Sequence, residues 1–130
     1  MNMNILGPDA IEWLGVHYRT ILKTGDSGGA ISVVDSVSPP KSGPPRHIHH
    51  EADETFVVLT GDILFWLEGE EHTFQVISDT PSRHLVILTP GGFEGFFAEM
   101  AAGQFRIPQD MPAVAEAAAR YRMDFTGPPL

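Results

Sequence analysis

Two histidines separated by one residue, His47 and His49, are followed by Glu54 and then by Gly61, a spacing of H-x-H-x4-E-x6-G. Side chains two apart on a strand project from the same face, because strand residues alternate sides. Both imidazoles can therefore approach one point, and a carboxylate arriving a few residues later can close on it. Neutral imidazoles with one carboxylate suit Zn, Fe, Mn, Co, Ni or Cu. The spacing thus points to a mononuclear transition-metal site within β-structure. The competing reading of the same residues is a polar edge strand with solvated side chains.

The elements that would position these groups are strands. Residues 11–22 read as a strand with mixed faces, followed by the turn cluster TGDSGG. Residues 30–37 are β-branched and read as a second strand. SPPKSGPP follows, where four prolines forbid both a helix and a central strand. Residues 46–50, 54–59, 63–67, 72–78 and 84–89 read as further strands, with turns at Thr60-Gly61 and Glu68-Gly69-Glu70. Beyond Pro90 the pattern changes. Phe93, Phe96, Phe97 and Met100 recur at helical spacing, and residues 112–121 are alanine-rich with proline near their start, a second helix. Both helices are expected to pack outside the sheets, and the tail TGPPL to be irregular.

The composition fits one domain of 130 residues, spanning 1–130, with a barrel over about 11–89 and a helical segment over about 91–123. Thirteen glycines and eleven prolines lie mostly between apolar runs, which suits many short strands joined by turns. A formal net charge of -9 repels phosphate backbones, so nucleic acid is not an expected partner. Cysteine is absent, which excludes disulfides and thiolate chemistry. MNMNILGPDAIEWLG has no basic region followed by an apolar core, and no apolar run approaches the roughly 20 residues that span a bilayer. A cytoplasmic location and no membrane partner are the expectations.

The segment GPPRHIHHEADETFVVLTG resembles the first motif of the cupin superfamily, and most of all that of small single-domain, quercetin-dioxygenase-like cupins. The likeness continues through SRHLVILTPGGFEGFF and the final GPPL. It implies an all-β, antiparallel jelly-roll barrel and a metal held by two His and one Glu of the first motif and one His of the second. Carried onto this chain, the first three are His47, His49 and Glu54. Lys41 stands where the motif usually opens with Gly, while Gly43 lies nearer.

The second motif, G-x5-P-x-G-x2-H-x3-N, departs further. A match at Pro90-Gly91-Gly92 puts Gly95 at the His position. A better match starts at Gly61 itself, with Leu67 for Pro, Gly69 for Gly, His72 for His and Val76 for Asn. On that reading Gly61 serves both motifs, His72 is the fourth ligand, and about two strands usually found between the motifs are missing. Strand alternation places His72, Phe74 and Val76 on one face, with His72 looking inward. A barrel so shortened has unpaired edges, so a homodimer is expected, with strand exchange as one route.

His50 points opposite to His49 and reads as exposed or supporting, and as a substitute ligand if His72 cannot reach. His17 and His84 lie in apolar strands and read as packing or surface residues. Phe56, Phe65, Trp66, Phe74 and Phe105 read as core, some of them lining a cavity. GGFEG reads as a helix-start turn rather than a phosphate loop, since Glu94 is adjacent and no Lys accompanies it. The resemblance implies a metal-dependent oxidoreductase of dioxygenase type acting on a small phenolic or enolisable substrate, with Glu54 as base as well as ligand. The alternatives are a non-catalytic binding module and an inactive shortened scaffold, because the fold hosts many functions.

Overall fold

The structure is a computed structural model that describes residues 5–130. The chain forms β1 (Ile11–Trp13), β2 (Val16–Leu22), a 3-10 turn (Thr24–Ser27), β3 (Ser32–Ser38), β4 (His47–His49) and β5 (Asp53–Thr60). It continues through β6 (Ile63–Glu68), β7 (Glu71–Val76), β8 (Ser82–Thr89), α1 (Glu94–Gly103), α2 (Met111–Arg120) and β9 (Met123–Phe125). All pairings are antiparallel. One sheet runs β1-β2-β3-β8-β5 and the other β6-β7-β4-β9.

Alternation decides what each strand buries. In β8, Ser82, His84, Val86 and Leu88 are buried, while Arg83, Leu85 and Ile87 lie on the other, half-buried face. β3, flanked on both edges, is buried along most of its length. The helices lie outside the sheets and turn apolar stripes inward. α2 presents Val114, Ala117 and Ala118, and α1 presents Phe96 and Met100, at the i, i+3, i+4 spacing of a helix face. These meet Trp13, Val34, Val86, Leu88, Phe93 and Met123 in one core. The Trp13 indole N–H donates to the Phe105 carbonyl at 2.7 Å, which satisfies the polar tip of a buried ring.

Several boundaries differ from the sequence reading. The single strand expected over 11–22 is a hairpin, in which Trp13 pairs with Val16 around Leu14 (φ 52°) and Gly15 (φ 82°). Two successive positive φ values match the right-handed twist of the flanking strands. The signal was hidden because leucine is an unusual residue for that backbone region. Residues 123–125, placed at the end of the helical segment and in the run toward the tail, form β9. Arg122 (φ 59°) reverses the chain after α2, and β9 then pairs with β4. The turn expected over Thr24–Gly29 includes a short 3-10 helix.

The proline-rich stretch lies alongside β7 without being a strand. The Lys41 N–H donates to Val76 O and the Val76 N–H to Ser42 O. At Gly43 the backbones come so close that a Cβ would sit 1.9 Å from the Phe74 carbonyl oxygen, so glycine is required there. At Gly61 the chain turns with φ +83°, and a Cβ would press on Ser82.

Leu88 is fully buried beneath the helices. Leu88→Ala is expected to lower unfolding free energy by about 2–5 kcal/mol, measured by urea denaturation. A loss below ~1 kcal/mol would contradict the placement of this core.

Candidate metal centre

His47, His49, Glu54 and His72 converge, each offering one ligand atom, and these atoms all lie within 4.8 Å of one another. Three come from the four-stranded sheet. His47 and His49 share a face of β4, and His72 on β7 is directly paired with His47. Glu54 comes from β5 of the five-stranded sheet, so the cluster forms where the two sheets face each other. The sequence reading named these four residues, and the structure brings all four together.

The hydrogen bonds fix which ring nitrogens are free. His47 Nδ1 lies 2.8 Å from the Pro45 carbonyl. A carbonyl only accepts, so Nδ1 carries the proton and Nε2 keeps its lone pair. His72 Nδ1 likewise donates to Glu70 O at 3.2 Å, which leaves Nε2 to meet Glu54 Oε1 at 2.9 Å. His49 Nε2 stands 3.4 Å from Glu54 Oε2, yet it is buried and has no hydrogen-bond partner. An orphaned, buried imidazole nitrogen beside a carboxylate and two further imidazoles is the arrangement a cation satisfies. The residues present fit a divalent transition metal.

The electrostatics prepare the same set. Burial holds the His47 imidazole well down, at about 4, although its bond to the Pro45 carbonyl opposes this. Burial pushes the Glu54 carboxyl up, but the adjoining His49 and His72 outweigh it and hold the group at about 2. The Glu54 carboxylate raises His72 against its partial burial. Glu54 is thus ionised and His47 neutral near pH 7, as ligands must be, and a metal would take the place of the hydrogen bond between His72 Nε2 and Glu54.

An apolar cavity of about 420 Å3 opens onto the cluster. Its wall includes Tyr18, Phe56, Phe74, Phe93, Phe97 and Phe125, together with His47, His49 and Glu54. The Phe93 ring stands edge-on to His49 at 4.8 Å. Of the aromatic residues expected in the core, Phe56 and Phe74 line this cavity. Phe65 is partly exposed, Trp66 carries the Arg46 guanidinium over its ring at 5.1 Å, and Phe105 packs against the core beneath the helices. His50 is exposed and pairs with Asp124 at 2.7 Å. His17 is half-buried on β2. His84, taken as a packing or surface residue, is 1% exposed and lines the cavity. Its signal was its phase within β8, shared with Val86 and Leu88. GGFEG opens α1, and Glu94 accepts hydrogen bonds from the Thr24 backbone N–H and hydroxyl.

No protein-family model and no curated protein matches the chain. Among solved structures it is similar to KdgF from Halomonas sp., at 15% identity and TM-score 0.58, over 68% of this chain and 93% of that one. It is also similar to ectoine synthase from P. lautus, at 15% identity and TM-score 0.51, over 97% of this chain and 86% of that one. The fold is a cupin jelly roll. At these identities the likeness concerns the fold alone. Among the described residues no helix is long and apolar enough to cross a membrane.

In chelated protein the buried imidazoles set a pH dependence. His47 and His84 are both held at about 4 against an ordinary 6.5, so the unfolded chain binds more protons between these values. Their contribution is complete above pH 6.5 and drains as pH falls toward 4, on the order of 3 kcal/mol for each by pH 4. Glu54, at about 2 against 4.5, contributes fully above 4.5 and loses its share between 4.5 and 2. His72, raised, works the other way, its contribution being full below 6.5 and lost as pH rises. Urea denaturation with chelator is expected to show stability falling between pH 6.5 and 4; a flat profile would contradict two neutral buried imidazoles.

Proposed function

We propose that the chain is a metal-binding cupin of the small quercetin-dioxygenase-like type, with one divalent transition metal held by His47, His49, Glu54 and His72. Its proposed activity is that of a dioxygenase-type oxidoreductase on a small phenolic or enolisable substrate. The observation that carries this reading is the convergence of four ligand atoms, including the unpartnered His49 Nε2, beside an aromatic cavity. When bound, such a metal supplies Lewis-acid and redox chemistry with open positions for small molecules. The protein's own groups do the rest. Phe56, Phe74 and Phe93 shield a planar substrate from water, and the Pro45 and Glu70 carbonyls orient His47 and His72. Glu54 takes the substrate's hydroxyl proton.

The shortening between the two motifs belongs to the same proposal. It is supported by the exposure of side chains from β5 and β6: Val57, Val58, Leu59, Leu64, Phe65 and Leu67, the last 72% exposed. β5 and β6 are edge strands of the two sheets and are joined only by the turn at Gly61-Asp62. The edge residues Thr55–Thr60 carry no charge, although charged side chains are the common protection of a free edge. In a chain of net charge -9, that uncharged edge suits a second copy of itself, paired about a two-fold axis. The same openness favours a second reading, a non-catalytic binding module, since a cavity open to water protects reactive intermediates poorly.

Elemental analysis is expected to find about one transition metal per chain in the wild type, and none in His72→Ala. Glu54→Gln that retains metal is expected to lose about 100-fold or more in turnover on phenolic and dicarbonyl substrates. Metal-free wild type would sink the site, and metal without turnover across the panel would leave the binding module. Light scattering at micromolar concentration is expected to give twice the 14.2 kDa chain mass, and Val57→Lys to give the monomer. A monomeric wild type would refute the dimer.

A further inference from the structure

The cavity has a polar spot that the metal-centre reading leaves unused. Tyr18, Ser36 and His84 stand in register across β2, β3 and β8, and all three line the cavity. His84 packs in one cluster with Phe56 and Phe74, its ring centroid 5.6 Å from the first and 5.5 Å from the second, the two themselves standing 5.6 Å apart. Its ring is almost wholly buried, and its Nδ1 has no hydrogen-bond partner.

The neighbouring serine fixes the tautomer. Ser36 Oγ lies 3.0 Å from the His84 carbonyl oxygen and 3.1 Å from His84 Nε2. A carbonyl cannot donate, so the single hydroxyl proton of Ser36 goes to it. Ser36 Oγ must then accept from Nε2, so Nε2 carries the ring proton and Nδ1 is a bare acceptor. Burial holds this imidazole at about 4, so it is neutral near pH 7 and Nδ1 stays unprotonated. A buried acceptor without a partner is costly, and a ligand's donor group relieves that cost.

We propose that His84 is a specificity-determining residue of the cavity, whose Nδ1 accepts a hydrogen bond from a hydroxyl group of an aromatic ligand lying against the cavity face that Phe56 and Phe74 line. It rests on the metal reading only for the ligand's other end, which meets the His47, His49, Glu54 and His72 set. The ligand class is a small planar hydroxylated aromatic, chosen by a neutral acceptor in an apolar slot. Ethers and hydrocarbons of the same shape lack the donor and are discriminated against.

The test uses phenol, anisole and toluene on wild type, His84→Phe and Ser36→Ala, with and without chelator. Nitrogen-detected NMR of the imidazoles is expected to show His84 in the Nε2–H form, and its bare Nδ1 resonance to move upfield with phenol but not with anisole or toluene. Wild type is expected to bind phenol about tenfold more tightly than toluene, and His84→Phe to lose that preference. Ser36→Ala, which frees the tautomer, is expected to show mixed ring forms and a reduced preference. An Nδ1 signal unmoved at saturating phenol, or a phenol preference unchanged in His84→Phe, overturns the proposal. If His84→Phe fails to fold, the wild-type NMR response alone decides. Metal content on the same samples separates the two readings. A metal-free wild type sinks the metal site and leaves the His84 response in chelated protein to stand or fall by itself.

Discussion

A buried carboxylate between two sheets constrains this structure more than any other single group. Glu54 has only 9% of its side chain exposed and stays ionised. An uncompensated charge in that position would cost several kcal/mol, so the surroundings must supply opposite charge or hydrogen-bond donors. Glu54 belongs to the five-stranded sheet, and the group that hydrogen-bonds it, His72, belongs to the four-stranded one, as does His49, whose Nε2 stands 3.4 Å away. Pairing the charge therefore draws the two sheets together at one place, and β4, β7 and β5 are held there in a fixed relation.

The rest of the cluster follows from holding β4. Only three residues long, β4 is flanked by β7 on one edge and β9 on the other, with His47 paired to both His72 and Phe125. So short a strand has little register information of its own, since one slip would turn His47 and His49 away from Glu54. The register is supplied from outside. The Pro45 carbonyl holds the His47 ring, the Pro44 carbonyl accepts from the Thr73 hydroxyl at 2.6 Å, and Thr126 N–H donates to Arg46 O at 2.8 Å. Prolines that cannot donate to a ladder still accept, and here their carbonyls anchor the ligands.

This explains what could be read from the sequence. His47, His49 and Glu54 were legible because their spacing is local and the strand period is 2. His72 was legible once Gly61 was allowed to close one motif and open the next. β9 was not, because three residues after a helix carry no period and their strand character comes wholly from pairing with β4. The Leu14-Gly15 turn was missed because leucine gives no warning of positive φ. His84 was legible as a packing residue, but its place on the cavity was not. Burial of a histidine in an apolar strand reads as packing until the cavity on that face is known, and a cavity is a property of two sheets, not of one strand.

The cavity wall and the exposed β5–β6 edge are built to different standards. In the wall the C-terminal helices bring Phe93 against His49, Phe97 in a stack on Tyr18 at 4.3 Å, and Phe96 edge-on to Trp13. That packing fixes the metal cluster's rear wall. Outside the cavity lining, Phe65, paired with Phe74 across the β6–β7 hairpin, is 37% exposed, and Val58, opposite His84 in the β5–β8 ladder, is 42% exposed. The helices thus lock the aromatic wall behind the ligating imidazoles, whereas the outer β5 and β6 side chains are held by their own sheets alone, so the ligand set keeps its geometry whatever happens at that exposed edge.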